Sequence, residues 1–240
     1  MKIGVIGTGT IASAVVRGIA PDGHVITISE RSTGRAKILN ETFENVSIAA
    51  NQAVLDRSDV ILIGTTGTQA DAALTPLTFR SSHIVISLMG DMPLSHVAKL
   101  VAPADAQATM IPFPVIATGG SPVLVCPPSP VVTALVGARN MVVDVDDPSQ
   151  MSPFLAAQAT LSPALTLVAT ATDWLTKRTG DADLAEAFLT TLVANSMKAA
   201  PLADTLTALD TPGGYNQRLR VRLEAAYALL LEGLDELEQT

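Results

Sequence analysis

Short β-branched runs alternate with amphipathic segments over the first 148 residues, and after that the apolar positions keep helical spacing only. Ile3-Gly4-Val5-Ile6, His24-Val25-Ile26-Thr27-Ile28, Val46-Ser47-Ile48, Asp59-Val60-Ile61-Leu62-Ile63 and Ile84-Val85-Ile86-Ser87-Leu88 read as strands. The run Val60–Ile63 is apolar on both faces, as a parallel strand covered by helices must be. Ala14 to Ile19, Ala36 to Phe43 and Leu94 to Leu100 have helical spacing, and Asn51 caps a brief helix to Arg57. Strand alternating with helix predicts a doubly wound α/β domain. Ala106 to Met110 extends the sheet. The prolines of Ile111-Pro112-Phe113-Pro114 end regular pairing, because proline cannot donate to a ladder. Val123–Val125 and Met141–Val143 add strands on either side of a helix from Val131 to Val136.

Asp146-Asp147-Pro148-Ser149 marks a boundary, giving an α/β domain over 1–148 and an all-α domain over 149–240. In the second domain, Pro153 to about Arg178 reads as one helix with a kink or break at Pro163. Asp183 to Ala199 is the next, preceded by the stop and cap Thr179-Gly180-Asp181. Asp210-Thr211-Pro212-Gly213-Gly214-Tyr215-Asn216 is a sharp break. A last helix follows, with Leu219, Leu223, Tyr227, Leu230, Leu234 and Leu237 as its apolar stripe. Stripes this apolar on so small a domain imply pairing of helices between subunits.

The chemistry starts at residue 7. Gly7-Thr8-Gly9-Thr10-Ile11-Ala12 is G-x-G-x-x-A between a strand and a helix, the setting that a dinucleotide-binding turn requires. Gly7 permits the tight turn, Gly9 lets a pyrophosphate approach the backbone, and Ala12 lets the helix pack on the strand. The phosphates would sit at the helix N-terminus, against the amides of Thr8 to Ile11. The first domain is therefore a candidate Rossmann NAD(P)-binding domain. After the second strand, Glu30 stands where an acid would bind the ribose 2′-OH of NAD, while Arg31, Ser32 and Arg35 could grip a 2′-phosphate. The balance favours NADP, with NAD possible. Thr65 and Thr66, beyond Ile63, are candidates to contact the ribose or nicotinamide, beside a plain Thr/Gly turn as the alternative.

Composition narrows the partners. The formal net charge is −8, which argues against nucleic-acid binding by bulk electrostatics. An anionic cofactor must then be held by local dipoles and few cations. Aromatic residues are 3% of the chain, so the core is built from Ala, Val, Leu and Ile. One cysteine, Cys126, excludes an internal disulfide and a cysteine-based zinc site, and His83 and His96 have no metal-ligand partner at useful spacing. No metal is expected. Neither a signal peptide nor a membrane span is read from the sequence, and a cytoplasmic location is the expectation.

The Thr-Pro-Gly-Gly turn before the last helix makes the picture specific. The chain resembles the pyrroline-5-carboxylate reductase family nearly end to end, with a helical domain like that of 6-phosphogluconate dehydrogenase. Gly7 to Ala12 resembles the family's cofactor turn, and Glu30-Arg31-Ser32 its Asn-Arg-Ser. Met110-Ile111-Pro112-Phe113-Pro114 resembles its Met-Pro-Asn-Thr-Pro, and Ser162-Pro163-Ala164 its Gly-Pro-Ala. Thr211-Pro212-Gly213-Gly214 resembles its Ser-Pro-Gly-Gly-x-Thr substrate loop. The resemblance implies an N-terminal Rossmann domain, an interlocking helical dimerisation domain, and a homodimer or higher homo-oligomer. It implies NAD(P)H-dependent hydride transfer to a small cyclic imine, giving proline from 1-pyrroline-5-carboxylate. It places Pro112 among the cofactor contacts, and Thr211, Gly213, Gly214 and Asn216 around the substrate, with Thr211 and Asn216 as the catalytic pair. Three positions depart from the family. Asn216 stands for its second hydroxyl residue, Thr65-Thr66 replaces its Lys-Pro, and Phe113 displaces its Asn-Thr. Another small imino or oxo acid, or cofactor binding without turnover, are the alternatives.

Overall fold

The computed structural model describes residues 1–30 and 33–239, in two compact units, Met1–Met151 and Ser152–Thr240. Unit 1 contains β1 (Lys2–Ile6), β2 (Val25–Ser29), β3 (Val46–Ala49), β4 (Val60–Ile63), β5 (Ile84–Ser87), β6 (Asp105–Pro112), β7 (Pro122–Cys126) and β8 (Met141–Asp144). Its helices are α1 (Thr10–Ile19), α2 (Thr33–Thr42), α3 (Asn51–Asp56), α4 (Gly67–Leu74), α5 (Leu94–Leu100) and α6 (Pro130–Val136). The strands form one sheet in the order β3-β2-β1-β4-β5-β6-β7-β8, parallel throughout except between β6 and β7. The order reverses between β1 and β4, and this is the switch point of a doubly wound sheet.

The apolar runs explain the layering. In β4, Val60 and Leu62 join the core on the α1 and α6 side, whereas Ile61 and Ile63 join the core on the α3, α4 and α5 side. A strand buried on both faces needs such a run. Pro112 is the last paired residue of β6, opposite Val123, as expected of a residue that cannot donate onward. The α4 helix was not legible as a helix. Its sequence, Gly67-Thr68-Gln69-Ala70-Asp71-Ala72-Ala73-Leu74, opens with a glycine and buries only Gly67, Ala70 and Leu74.

Unit 2 is helical. It follows α7 (Met151–Ala157) with α8 (Leu161–Thr179), α9 (Ala182–Ala199), α10 (Leu202–Ala208), α11 (Tyr215–Arg222) and α12 (Glu224–Glu238). Gly180, at φ 75°, closes α8, and the Asp181 side chain caps α9 by accepting the Leu184 amide at 2.9 Å. The break in the first helical stretch is the 3-10 turn Gln158–Thr160, while Pro163 lies in the first turn of α8 and is tolerated there. The expected single last helix is two, interrupted at Leu223.

No apolar run of about 18 residues free of charges and breakers is expected from the sequence, and one helical stretch that contains Pro153 and Pro163 is nonetheless long and apolar enough to cross a membrane by length and composition. That stretch is Pro148–Thr179. Ala, Thr, Ser and Leu keep charge out of this stretch as far as Asp173. Among the described residues of unit 2, only Ala156 and Ala185 are buried. Trp174, Phe188, Leu192 and Leu219 are all more than half exposed, so these helices leave their apolar faces uncovered.

His83, on the turn before β5, is fully buried. Its Nδ1 accepts the Arg80 amide at 3.2 Å and its Nε2 lies 3.1 Å from the Leu55 carbonyl, which suits a neutral ring protonated at Nε2. Burial first, and then the Arg80 charge, hold its pKa below the ordinary 6.5, against the pull of the Leu55 carbonyl, Asp59 and Asp56. The unfolded chain therefore binds the proton first, and stability must fall as pH drops below 6.5. The melting temperature is expected to decline between about pH 7 and about pH 5, and His83→Gln to show a shallower decline. An equally steep decline in the variant would rule His83 out as the cause.

Candidate functional site

The turn between β1 and α1 is held by the side chains of Ser29 and Ser13. Gly7 has φ 90°, and an added Cβ there would lie 2.8 Å from the Gly64 carbonyl oxygen, so no other residue fits. The Gly7 N–H donates to Ser29 Oγ at 2.8 Å, and Ser13 Oγ donates to the Thr8 carbonyl at 3.2 Å. The turn thereby closes on the carboxyl ends of β2 and β4, beside the switch point.

The helix end itself is open. Gly9 is the N-cap of α1, no side chain caps it, and its first turn has no acidic residue. The first intrahelical bond is Ser13 N to the Gly9 carbonyl, so the amides of Thr10, Ile11 and Ala12 have no partner in the helix. A Cβ on Gly9 would meet only Gly64 O at 3.7 Å, which leaves free space on that side of the backbone. Thr8 Oγ1 is buried without a hydrogen-bond partner in the same turn. Bare amides, a glycine cradle and an orphaned hydroxyl fit the pyrophosphate of a dinucleotide.

The neighbouring loops are braced in the same manner. Ser87, fully buried at the end of β5, accepts the Met89 amide at 3.2 Å, and the Thr65 hydroxyl rests 3.3 Å from the Met89 sulfur. Thr66 and Thr68 share a hydrogen bond at 3.1 Å. The Gly67 amide at the start of α4 donates to Asp91 Oδ2 at 3.2 Å. An internal carboxylate thus occupies that helix end, whereas α1 keeps its end free for an anion from outside.

The structure brings Gly7, Thr8, Gly9, Thr10 and Ile11 to the edge where Thr65 and Thr66 lie; an added Cβ on Gly7 would come within 3.0 Å of the Thr65 amide nitrogen. Pro112 ends β6, on the far side of β5 from the switch point. Glu30 is exposed after β2, and Arg35 is exposed in the first turn of α2; Arg31 and Ser32 lie outside the described residues. Ser29, Ser13 and Asp91 were missed from sequence. A small polar residue at the end of an apolar strand was the available signal for Ser29.

In unit 2 the second candidate loop is internally bonded. The Gly213 N–H donates to Gln217 Oε1 at 2.7 Å, and the Gly214 N–H donates to the Thr211 carbonyl at 2.9 Å. The two amides assigned to a carboxylate are therefore already engaged. Gly214 caps α11 without a side-chain bond, and the first bond of that helix runs from Arg218 N to the Gly214 carbonyl. This leaves the amides of Tyr215, Asn216 and Gln217 as the open donors. Gln217 stands at the third helical position, where a glutamine reaches back to the cap region, so this contact was legible in principle. An Asp210–Arg220 ion pair ties the start of the loop to α11. Thr211 and Asn216 are exposed, and Asn216 lines a recess of about 300 Å³ with Leu206, Leu209, Arg220, Leu223 and Tyr227. Among the described residues no group of His, Cys, Asp and Glu could hold a metal ion.

Residues 2–90 match the family described as NADP oxidoreductase coenzyme F420-dependent. No curated protein matches the sequence significantly. The whole chain superimposes on 1-pyrroline-5-carboxylate reductase from Streptococcus pyogenes with a TM-score of 0.80 at 20% identity, covering 100% of this chain and 99% of that one. Plasmodium falciparum pyrroline carboxylate reductase with NADP bound gives 0.82 at 14% identity, over 100% and 96%. A reductive aminase from Aspergillus terreus, in complex with NADPH4, cyclohexanone and allyl amine, gives 0.64 at 17%, over 99% and 89%. The chain thus has the fold of the pyrroline-5-carboxylate reductases from end to end, a Rossmann domain followed by helices.

Proposed function

We propose that the protein is an NADP(H)-dependent oxidoreductase that reduces a small cyclic imine. The first assignment is 1-pyrroline-5-carboxylate to proline in the cytosol, and the second is another small imino or oxo acid. The observation that carries this reading is the open N-terminus of α1 behind the Gly7–Gly9 turn. Two similar structures add support, one solved with NADP and another with NADPH4 beside a ketone and an amine.

Thr10, Ile11 and their neighbours hold the pyrophosphate through backbone N–H groups, and the Thr8 hydroxyl is free to join them. Arg31 and Ser32 are assigned to the 2′-phosphate; Glu30 keeps NAD as a second possibility. Thr65, Thr66 and Pro112 are assigned to the remainder of the cofactor. When bound, the nicotinamide supplies the hydride. In unit 2, Thr211 and Asn216 orient the imine with a hydroxyl and an amide. Gly213 and Gly214 contribute the shape of the loop, since their own N–H groups are spent within it. The substrate carboxylate falls to the first-turn amides of α11, a positive helix end that needs no lysine. A protonated imine is already electrophilic, so positioning is the main demand on the protein.

The uncovered faces of α8, α9 and α11 are assigned to a second copy of the chain. Leu167, Trp174, Leu175, Phe188, Leu189 and Leu219 border a recess of about 610 Å³ that side chains of a partner helix would fill. A unit with so little buried surface has no core of its own, so its stability must come from association.

With NADPH and 1-pyrroline-5-carboxylate, the absorbance of the reduced nicotinamide should decay. Thr211→Val and Asn216→Ala should each lower kcat/KM about tenfold or more without changing NADPH affinity. Binding of NADPH with no turnover of any cyclic imine would favour a sensor; equal loss of binding and turnover would remove both residues from the substrate site. Sedimentation should show a dimer or larger, and Phe188→Glu should dissociate or unfold it. A stable folded monomer of the native chain would contradict the assignment of these faces.

A further inference from the structure

Ser29 is fully buried at the end of β2, and its backbone stays in the ladder with Ala49 of β3. Its side chain leaves the sheet in the other direction and accepts the Gly7 N–H at 2.8 Å. The bond joins the strand end that precedes Glu30 to the turn that precedes α1. We propose that Ser29 is a positioning residue of the cofactor site: its hydroxyl, by taking up the Gly7 amide, holds the glycine turn in the form that leaves the next amides open to the pyrophosphate. The proposal rests on the reading of unit 1 as an NADP(H) site.

The physical reason is the cost of an orphaned donor. A buried N–H with no acceptor is unfavourable, and the chain relieves it by rotating the peptide toward water. The Gly7 N–H belongs to the Ile6–Gly7 peptide, whose carbonyl accepts the Gly64 N–H at 2.8 Å, so the rotation would also loosen the tie between the turn and the end of β4. Rotation there would tilt the Thr8 peptide, whose carbonyl accepts from Ser13, and would disturb the start of α1. The cofactor would then have to restore the turn on binding, and its affinity would carry the difference. Ser29 touches neither the cofactor's phosphates by this scheme nor any substrate. Its effect should therefore be confined to nucleotide affinity.

The test uses the full chain. NADPH titration by fluorescence should give a dissociation constant about tenfold higher for Ser29→Ala than for the native chain, with KM for the imine unchanged at saturating NADPH. Ser29→Cys, which keeps a weak acceptor of similar size, should fall between the two and serves if the alanine variant does not fold. Hydrogen exchange at the Gly7 amide should be faster in both variants. NADPH affinity within twofold of native, with the exchange accelerated, would overturn the positioning role. A native chain that binds no nicotinamide nucleotide would overturn the cofactor reading itself, and the proposal with it.

Discussion

The first turn of an α-helix leaves backbone N–H groups that the helix cannot satisfy, and α1, behind the Gly7–Gly9 turn, keeps its set bare. Other buried polar groups at the carboxyl edge of the sheet are paired. The Gly7 amide goes to Ser29, the Thr8 carbonyl takes Ser13, Met89 goes to Ser87 and the start of α4 takes Asp91. Against that pattern, α1 has a glycine cap, no acidic residue in its first turn and an orphaned threonine hydroxyl beside it. An open positive end among paired neighbours is how a chain of net charge −8 can hold a polyanion without a basic patch.

Unit 2 is governed by a different constraint, the want of a core. Its helices begin and end with sound local signals, such as Gly180 and Asp181 between α8 and α9. Their apolar stripes nonetheless meet little within the chain, and a helix that hides nothing gains little from folding. The stretch Pro148–Thr179, which includes α8, is also long and apolar enough to cross a membrane by length and composition. A face made to meet another protein surface and a face made to meet lipid carry similar side chains.

Much of unit 1 was legible because its signals are local. Double-sided runs such as Val60–Ile63 announce buried parallel strands, and Gly7-x-Gly9 between a strand and a helix announces the turn. What escaped depended on contacts between distant residues. Asp91 reaches Gly67 across a loop, and Ser29 reaches back to Gly7, and neither pairing leaves a periodic trace. The helices α4 and α10 escaped because they are short and weakly striped. The split between α11 and α12 escaped because the leucine stripe runs through Leu223 without a glycine or proline to mark it. At the Thr211–Asn216 loop the composition was legible but the bonding was not. The glycines suggested open amides, yet Gln217 and Thr211 consume those two and move the open set into the helix.

The most direct test of the central claim is the affinity of Gly9→Ala for NADPH, measured together with its melting temperature. Gly9 has the ordinary extended backbone of an L residue, φ −67° and ψ −176°, and an added methyl would contact only Gly64 O at 3.7 Å. The fold should therefore hold its melting temperature while NADPH affinity falls about tenfold or more, because the methyl takes the space left for the pyrophosphate. A variant that melts like the native chain and binds NADPH as tightly would show that the anion does not sit at this turn.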